Sequence, residues 1–300
     1  MPGLVLIANG APYTSRSSAG YLRPAAASWF NPVVAVNGFG GTQAHQQGFS
    51  ISGATDPVNG NSFSEGLDLI DAKKSTTALA SIPVTRHYSD RAVIENGGLI
   101  KSWWVVDHDL SSFGIGYSAF ALWSYVGDEH QGYFSGRPTY WGAYVYGSPT
   151  VPSELPNSGI KQYTGLAGMH YLFPDYDRVN TDYGSVAISF DTSSQTAAVS
   201  VNLAGTFNLV HFQPVGGVPS YSEYNLQAQA SGPITTLACI ASVNMAAGTF
   251  SCMLGNSNTE VSGRFYGPGG REISGVARSY VGSGPSTNWG IIGGFTAKAN

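Results

Sequence analysis

Histidine side chains are this chain's main candidates for haem or metal chemistry. His108 ends the run Trp103-Trp104-Val105-Val106-Asp107-His108, His87 precedes a tyrosine, and His130 ends the acidic run Asp128-Glu129-His130. Haem capture requires one or two axial ligands, usually His or Tyr, in an apolar and aromatic pocket. The three histidines are therefore candidate haem ligands, and a solvated loop histidine is the alternative at each position.

Aromatic side chains crowd the same part of the sequence. Tyr and Trp dominate protein-binding hot spots and line ligand pockets. In the run Tyr140–Tyr146, the period of a strand places the even-numbered tyrosines on one face and Trp141 on the other. One face packs inside, and the opposite face, if exposed, is an interaction surface. The candidate ligand-binding residues are His87, Trp103, Trp104, His108, His130, Tyr140 and Tyr144.

Metal and catalytic chemistry have less support. Asp107-His108-Asp109 and Asp128-Glu129-His130 lack the paired-ligand spacing of a structural zinc motif, so we expect polar loops rather than a Zn²⁺ or Ca²⁺ site. The sequence contains no Gly-x-Ser-x-Gly, His-Glu-x-x-His, Walker or dinucleotide-binding motif. Asp107 and His108 could join a distant serine, but any serine-rich chain offers that combination. We therefore expect a protein that is not an enzyme.

The composition limits the class of protein. Only 11% of residues are charged, compared with roughly 25% in an average soluble domain. The net charge is −4 and the only adjacent basic pair is Lys73-Lys74, so a nucleic-acid partner is not expected. The apolar segment Leu4–Ala8 is too short for a signal core. We interpret the sequence as a mature exported chain, with a cytosolic protein as the alternative.

Short strands separated by turns must position these residues. The segment Gly66–Lys74 fits either a short helix or a strand. Residues 8–48 are expected to be loops or an extended lead-in. Predicted strands of the first half are Phe49–Gly53, Ile82–Tyr88, Ala92–Ile94, Leu99–Val106, Gly116–Tyr125 and Tyr140–Tyr146. Those of the second half are Gly184–Phe190, Ala197–Leu203, Phe207–Phe212, Tyr224–Ala230, Leu237–Val243, Thr249–Leu254, the two arms flanking Gly267–Gly270, and Trp289–Ala297. A Pro-rich linker at Val151–Gly159 separates the halves.

The two cysteines flank one predicted hairpin. If Val243 pairs with Gly248 across the turn Asn244–Gly248, Cys239 faces Cys252 directly. Directly opposed residues come close enough for a cross-strand disulfide, which fits an oxidising compartment. Two buried free thiols on one face of the hairpin are the alternative.

An ordered set of motifs runs from residue 146 to the end of the chain. They are Tyr146-Gly147-Ser148-Pro149-Thr150, Leu155-Pro156-Asn157-Ser158-Gly159, Tyr163-Thr164-Gly165, Gly184-Ser185 through Phe190-Asp191, Gly263-Arg264-Phe265-Tyr266-Gly267-Pro268, Glu272-Ile273-Ser274-Gly275, and the closing glycine-phenylalanine strand. In this order they resemble the barrel of the transferrin-binding-protein-B-like surface proteins. The N-terminal half has no motif that matches this family.

The resemblance implies an all-β chain, with a β-rich handle over residues 1–156 and an eight-stranded antiparallel barrel over residues 157–300. Family members are exported by Gram-negative bacteria and capture host iron proteins, haemoglobin, haem or complement regulators; many are lipid-anchored. The chain lacks the family's N-terminal anchoring cysteine. Its length fits the single-lobed members that bind haemoglobin or haem.

The function implied is non-enzymatic capture of a host or environmental protein or haem for iron acquisition. It would take place in the extracellular space or on the outer cell surface, with an outer-membrane receptor as a further partner. The alternative is a structural or adhesive surface protein that associates with itself, because a charge-poor surface lets copies pack with little repulsion.

Overall fold

Three antiparallel sheets make up the described part of the computed structural model. The structure describes residues 13–15, 18–23, 28–30, 33–37, 48–55, 62–68, 73–79, 82–88, 102–108, 110–126, 139–172, 178–215, 218–226, 236–254, 259–281 and 289–300. Side chains are described at residues 108, 110–123, 142–170, 181–203, 236–253, 259–279 and 291–300. Within these residues, no helix is long and apolar enough to span a membrane.

Eleven strands precede residue 148. They are β1 Tyr13–Ser15, β2 Ser18–Arg23, β3 Ser28–Phe30, β4 Val33–Asn37, β5 Gly48–Thr55, β6 Ser62–Asp68, β7 Lys73–Leu79, β8 Ile82–Tyr88, β9 Ser102–His108, β10 Ser118–Val126 and β11 Thr139–Gly147. Four of them form a sheet of order β1-β4-β5-β6. The other seven form a sheet of order β3-β2-β11-β10-β9-β8-β7, which we call the handle sheet.

The remaining strands form the barrel. They are β12 Ile160–Leu172, β13 Arg178–Asp191, β14 Thr196–Val215, β15 Val218–Leu226, β16 Thr236–Asn244, β17 Thr249–Leu254, β18 Thr259–Tyr266, β19 Glu272–Val281 and β20 Trp289–Ala299. Pairing follows β13-β12-β20-β19-β18-β17-β16-β14, and a β13–β14 pairing closes the ring. Strand β15 pairs with the far end of β14, outside the ring. The predicted eight-stranded antiparallel barrel is therefore confirmed.

The barrel interior is filled by its own side chains because its strands alternate between inward and outward positions. Along β16 the burial alternates at every residue, with Cys239, Ala241 and Val243 pointing inward. Phe265 lies at the centre, where its ring meets that of Phe190 edge-on at 5.1 Å between centroids. Such pairs prefer this T-shaped geometry. The closed ring is a packed core that leaves its outer surface for contacts.

The turn between β18 and β19 explains the cluster Gly267-Pro268-Gly269-Gly270. Gly267, Gly269 and Gly270 have φ angles of +72°, +66° and +66°, which residues with a Cβ rarely adopt. Phe265 fills the barrel core, whereas its neighbour Tyr266 is buried on the outside. The two aromatic residues therefore lie on opposite sides of the barrel wall, as predicted.

Several predictions for the first half require correction. Residues 8–48 contain the four short strands β1–β4. The local composition did not predict them, because strands such as β2 are stabilised by pairing with a strand far along the chain. Gly66–Lys74 is strand at both ends, in β6 and β7. The predicted strand Ala92–Ile94 lies outside the described residues.

The structure joins Cys239 and Cys252 by a disulfide. The pairing register differs from the predicted one, because Val243 faces Phe250 rather than Gly248. The turn occupies Met245–Gly248, where the N–H of Gly248 donates to the carbonyl of Asn244 at 2.9 Å. The two cysteines therefore lie diagonally rather than directly opposite each other, and their Cα atoms are 6.5 Å apart.

Candidate functional site

The handle sheet packs on the outside of the barrel, where β10 and β11 contact β19 and β20. Two glycines make this part of the barrel wall flat. A Cβ on Gly168 or Gly294 would lie within 3.0 Å of the Phe120 ring or its Cβ. Phe120 is completely buried between the two sheets. Glycine here provides close approach of a strand to an aromatic ring.

A single carboxylate links the two parts of the protein. Glu272, the first residue of β19, is buried, with 2% exposure. Its Oε1 accepts the N–H of Gly116 at 2.7 Å, and its Oε2 accepts the N–H of Tyr117 at 3.0 Å. The hydroxyl of Ser118 donates to Oε2 at 2.8 Å. All these donors lie on the segment that enters β10, so Glu272 fixes the start of that strand on the barrel.

Hydroxyl groups continue this network across the barrel wall. Ser274 donates to the hydroxyl oxygen of Ser118 at 2.7 Å, and its own oxygen lies 2.7 Å from that of Thr296. These three hydroxyls are buried. Burial raises the pKa of the Glu272 carboxyl, and the bonds from Gly116 and Ser118 oppose that rise.

The segment after β11 adds a second link. Thr150 donates its N–H to the carbonyl of Phe265 at 3.0 Å and its hydroxyl to the carbonyl of Gly267 at 2.7 Å. The N–H of Gly267 donates back to the carbonyl of Ser148 at 2.8 Å. The β18–β19 hairpin of the barrel is therefore bonded to the chain that follows the last strand of the handle sheet.

His108 lies in the same contact between handle sheet and barrel. Its Nδ1–H donates to the carbonyl of Phe120 at 3.0 Å, and its Nε2 accepts the hydroxyl of Tyr183 at 3.0 Å. The ring stacks on Phe120 with 4.1 Å between centroids. Burial lowers the pKa of His108 to about 3, so the imidazole is neutral. Both ring nitrogens are engaged within the protein, which leaves neither available to haem iron.

A second buried histidine belongs to this contact. His170 on β12 is completely buried, and its Nδ1 lies 2.9 Å from the hydroxyl of Thr181. Burial, followed by the nearby His108, lowers the pKa of His170 to about 3. Sequence reasoning did not select His170, Thr181 or Tyr183. No local signal distinguishes them, because they lie on the outer side of the barrel wall and are buried by a distant strand.

Strand register places the predicted ligand-binding residues on two faces of the handle sheet. His108 lies on the face toward the barrel, and Trp104 is four residues before it on the same face of β9. Trp103 faces Tyr125, which in turn faces Tyr140. His130 lies outside the described residues. The seven candidates therefore do not form one site.

The face away from the barrel carries most of the remaining candidates. Trp103, Tyr125 and Tyr140 form one cross-strand row on this face. In the next row, Val105 lies between His87 on one side and Trp123 on the other. Tyr144 lies on the same face, opposite Ala121. We call this set of positions the aromatic face; it comprises His87, Trp103, Trp123, Tyr125, Tyr140 and Tyr144.

Trp123 is the most informative residue of the aromatic face. Its side chain is completely buried, and its indole N–H has no hydrogen-bond partner within the described part of the chain. Buried indole N–H groups usually have a partner, and leaving one unmade costs about 1–3 kcal/mol. Tyr144 on the same face is completely buried as well, so the orphaned donor lies inside the fold and can meet a ligand with a hydrogen-bond acceptor only when the cover over this face opens.

The described residues include no group of three or more His, Cys, Asp or Glu side chains that could hold a metal ion. Glu272 is saturated by protein donors, and His108 by Phe120 and Tyr183. The site chemistry of the described region is therefore hydrogen bonding and aromatic contact.

Comparison with known proteins gives three results. No protein-family model matches the chain, and no curated protein matches it. Similar solved structures include transferrin-binding protein B from Haemophilus parasuis Hp5 (12% identity, TM-score 0.40, covering 96% of this chain and 60% of that one). A surface lipoprotein has 13% identity and a TM-score of 0.30, covering 63% of this chain and 78% of that one. Transferrin-binding protein B from Actinobacillus pleuropneumoniae H49 has 14% identity and a TM-score of 0.30, covering 62% of this chain and 78% of that one.

Two of these three structures are transferrin-binding protein B, whose family the motifs of residues 146–300 resemble. This chain spans 60% of the length of the H. parasuis protein and 61% of that of an intact transferrin-binding protein B with N and C lobes.

Proposed function

We propose that this chain is a non-catalytic binding protein of the bacterial cell surface that captures a ligand on the aromatic face of the handle sheet. The observation that carries the proposal is the buried, unpartnered N–H of Trp123 beside the row Trp103, Tyr125 and Tyr140. Aromatic surfaces with a few placed polar groups are typical of ligand sites. The barrel interior is filled by its own side chains. We therefore place the ligand on the sheet and assign the barrel the role of supporting that sheet.

The ligand we propose is haem or a haem protein, taken up as a source of iron. Haem presents a flat apolar ring for aromatic contacts and carboxylate oxygens that can accept the indole N–H of Trp123 once that side chain is uncovered. The axial ligand, if one is used, would come from His87 or a tyrosine of this face rather than from His108. A cell-surface location in a Gram-negative bacterium and an outer-membrane receptor complete the proposal; their support is the motif resemblance of residues 146–300.

Titration with haemin and with haemoglobin tests this proposal. We expect a Soret shift with haemin or capture of haemoglobin by the immobilised protein, and at least a tenfold loss of affinity in the double variant Trp103→Ala, Tyr140→Ala. The control Lys161→Ala changes an exposed residue of the barrel. A wild-type protein that binds neither probe, or a double variant that binds as well as wild type, would contradict the proposal.

The variant Trp123→Phe examines the orphaned donor separately. It keeps a six-membered aromatic ring but removes the N–H and part of the buried indole volume, so the free protein should lose about 1 kcal/mol of stability, the cavity cost being partly offset by removal of the orphaned donor. Binding should weaken roughly fivefold to tenfold, the loss expected for one hydrogen bond of about 1 kcal/mol or slightly more. A loss of stability of about 3 kcal/mol or more in the ligand-free variant would exceed the cavity cost and show that the N–H already has a partner in the protein.

A further inference from the structure

The barrel has a second wall, opposite in character to the one under the handle sheet. Strands β13, β14 and β16 present two adjacent cross-strand rows to solvent, Ser189–Ala198–Ile240 and Ala187–Ser200–Ala238. Four of these residues are exposed and the two serines are half-buried. We call these six positions the uncharged wall.

The uncharged wall combines a shelf of small side chains with a ridge. Alanine and serine rise little above the backbone, whereas Ile240 is 71% exposed at one side of the wall. Met253 on the neighbouring strand β17 is 73% exposed. Ile240 and Met253 are two of the four exposed large hydrophobic residues among the described side chains. Burying Ile240 and Met253 against a second apolar surface is favourable, because it removes their exposed area from water.

We propose that the uncharged wall is a surface for weak self-association, and that its occupant is the same wall of a second copy. In a two-fold contact each patch meets itself. The ridge of each copy can therefore rest on the alanine shelf of the other, so the shape is self-complementary. The six positions carry no charge, although the chain carries a net charge of −4; the flanking charges are Asp191, two residues after Ser189, and the Glu260–Arg278 ion pair beyond Met253.

The size of the wall sets the expected strength. Strands lie about 4.8 Å apart and same-face residues about 6.7 Å apart, so each position covers roughly 32 Å². With Met253 and the next row Ser185–Asn202–Thr236, ten positions cover roughly 320 Å². A standard stable interface buries about 800 Å² per partner. The association should therefore be weak in dilute solution and favoured where copies are crowded together.

Sedimentation equilibrium over a concentration series tests this proposal. The weight-average mass of the wild-type protein should rise from that of a monomer toward that of a dimer between about 10 µM and 1 mM, as expected for a contact this small. Ile240→Glu should remain a monomer over the same range, because two carboxylates would meet in an apolar contact. The control Ser153→Glu adds the same charge at an exposed turn residue and should associate like wild type. Equal melting curves would show that both variants are folded.

Three outcomes would overturn the proposal. The wild-type protein could remain a monomer at the highest concentration, the Ile240→Glu variant could associate like wild type, or both charged variants could lose association to the same extent. The first would exclude self-association, the second would place it on another surface, and the third would show that net charge rather than this wall controls it.

Discussion

Replacing Glu272 by alanine should weaken the attachment of the handle sheet to the barrel. The carboxylate accepts two backbone N–H groups and one hydroxyl from the entry of β10. Hydrogen bonds to a charged group contribute roughly 1.5–3 kcal/mol each, so the three together contribute about 4.5–9 kcal/mol before desolvation. Burying the carboxylate offsets several kcal/mol of this, and we expect a net loss of about 3 kcal/mol.

Two other variants show whether the carboxylate itself is responsible. Glu272→Gln keeps the shape and one acceptor oxygen but loses the charge and one acceptor, so its loss should be smaller than that of Glu272→Ala, about 2 kcal/mol. Glu154→Ala removes an exposed carboxylate of the turn before the barrel and should change stability by less than about 0.5 kcal/mol.

Thermal unfolding at neutral pH is the assay. For a chain of this size each kcal/mol shifts the Tm by roughly 2–4 °C, so Glu272→Ala should unfold about 6–12 °C below wild type. The reasoning is refuted if Glu272→Ala is no less stable than Glu272→Gln, because the bonds to Gly116, Tyr117 and Ser118 would then contribute nothing.

The pH dependence of Glu272 has a definite sign. Burial raises the pKa of its carboxyl in the folded protein above that in the unfolded chain. The folded state then binds more protons, so this contribution is complete below the unfolded pKa of about 4.3 and declines as the pH rises through the raised value. The stability of wild type relative to Glu272→Gln should therefore fall on going from pH 4 to neutral pH. A constant difference between the two proteins would contradict the raised pKa.

Two further predictions concern the same contact. The wild-type protein should lose roughly 2 kcal/mol of stability at pH 5 for each of His108 and His170, because the unfolded chain takes up protons below pH 6.5 that the buried neutral rings do not; equal urea midpoints at pH 7.5 and pH 5 would contradict this. Gly294→Ala should cost about 1–3 kcal/mol by displacing Phe120, whereas Gly116→Ala, whose added Cβ meets nothing within 4 Å, should be nearly neutral. Chemical unfolding of the two glycine variants checks this difference, and similar losses would show that Phe120 is not confined.

The sequence predicted the barrel well because its strands satisfy two local rules at once. In Glu272-Ile273-Ser274-Gly275-Val276, inward and outward positions alternate. The preceding glycines and proline mark a turn whose positive φ angles the structure contains. Alternation does not specify pairing register, however. In the hairpin of Cys239 and Cys252, Val243 pairs with Phe250, two residues beyond the predicted partner Gly248. The sequence fits a turn over Met245–Gly248 as well as the predicted turn.

The candidate site was harder to predict, because outward-facing residues of a barrel look alike in sequence whether solvent or another sheet covers them. Ser274 and Ser200 are both serines in alternating strands. Ser274 is buried under the handle sheet, whereas Ser200 remains partly exposed. His108 stood out beside two tryptophans, but its partner Tyr183 is 75 residues away. Only the tertiary contact shows that this histidine is a buried structural group.

The contacts between handle sheet and barrel also bear on how a ligand would be held. Glu272 fixes the start of β10, Thr150 fixes the chain after β11, and His108 joins β9 to Tyr183 on β13. Because these links involve three elements of the handle sheet, rotation of the sheet on the barrel would break several buried hydrogen bonds together. Each broken buried bond costs about 1–3 kcal/mol. The strands that carry the aromatic face are therefore held by the barrel in one arrangement before a ligand arrives, so the remaining cost of binding is that of uncovering Trp123.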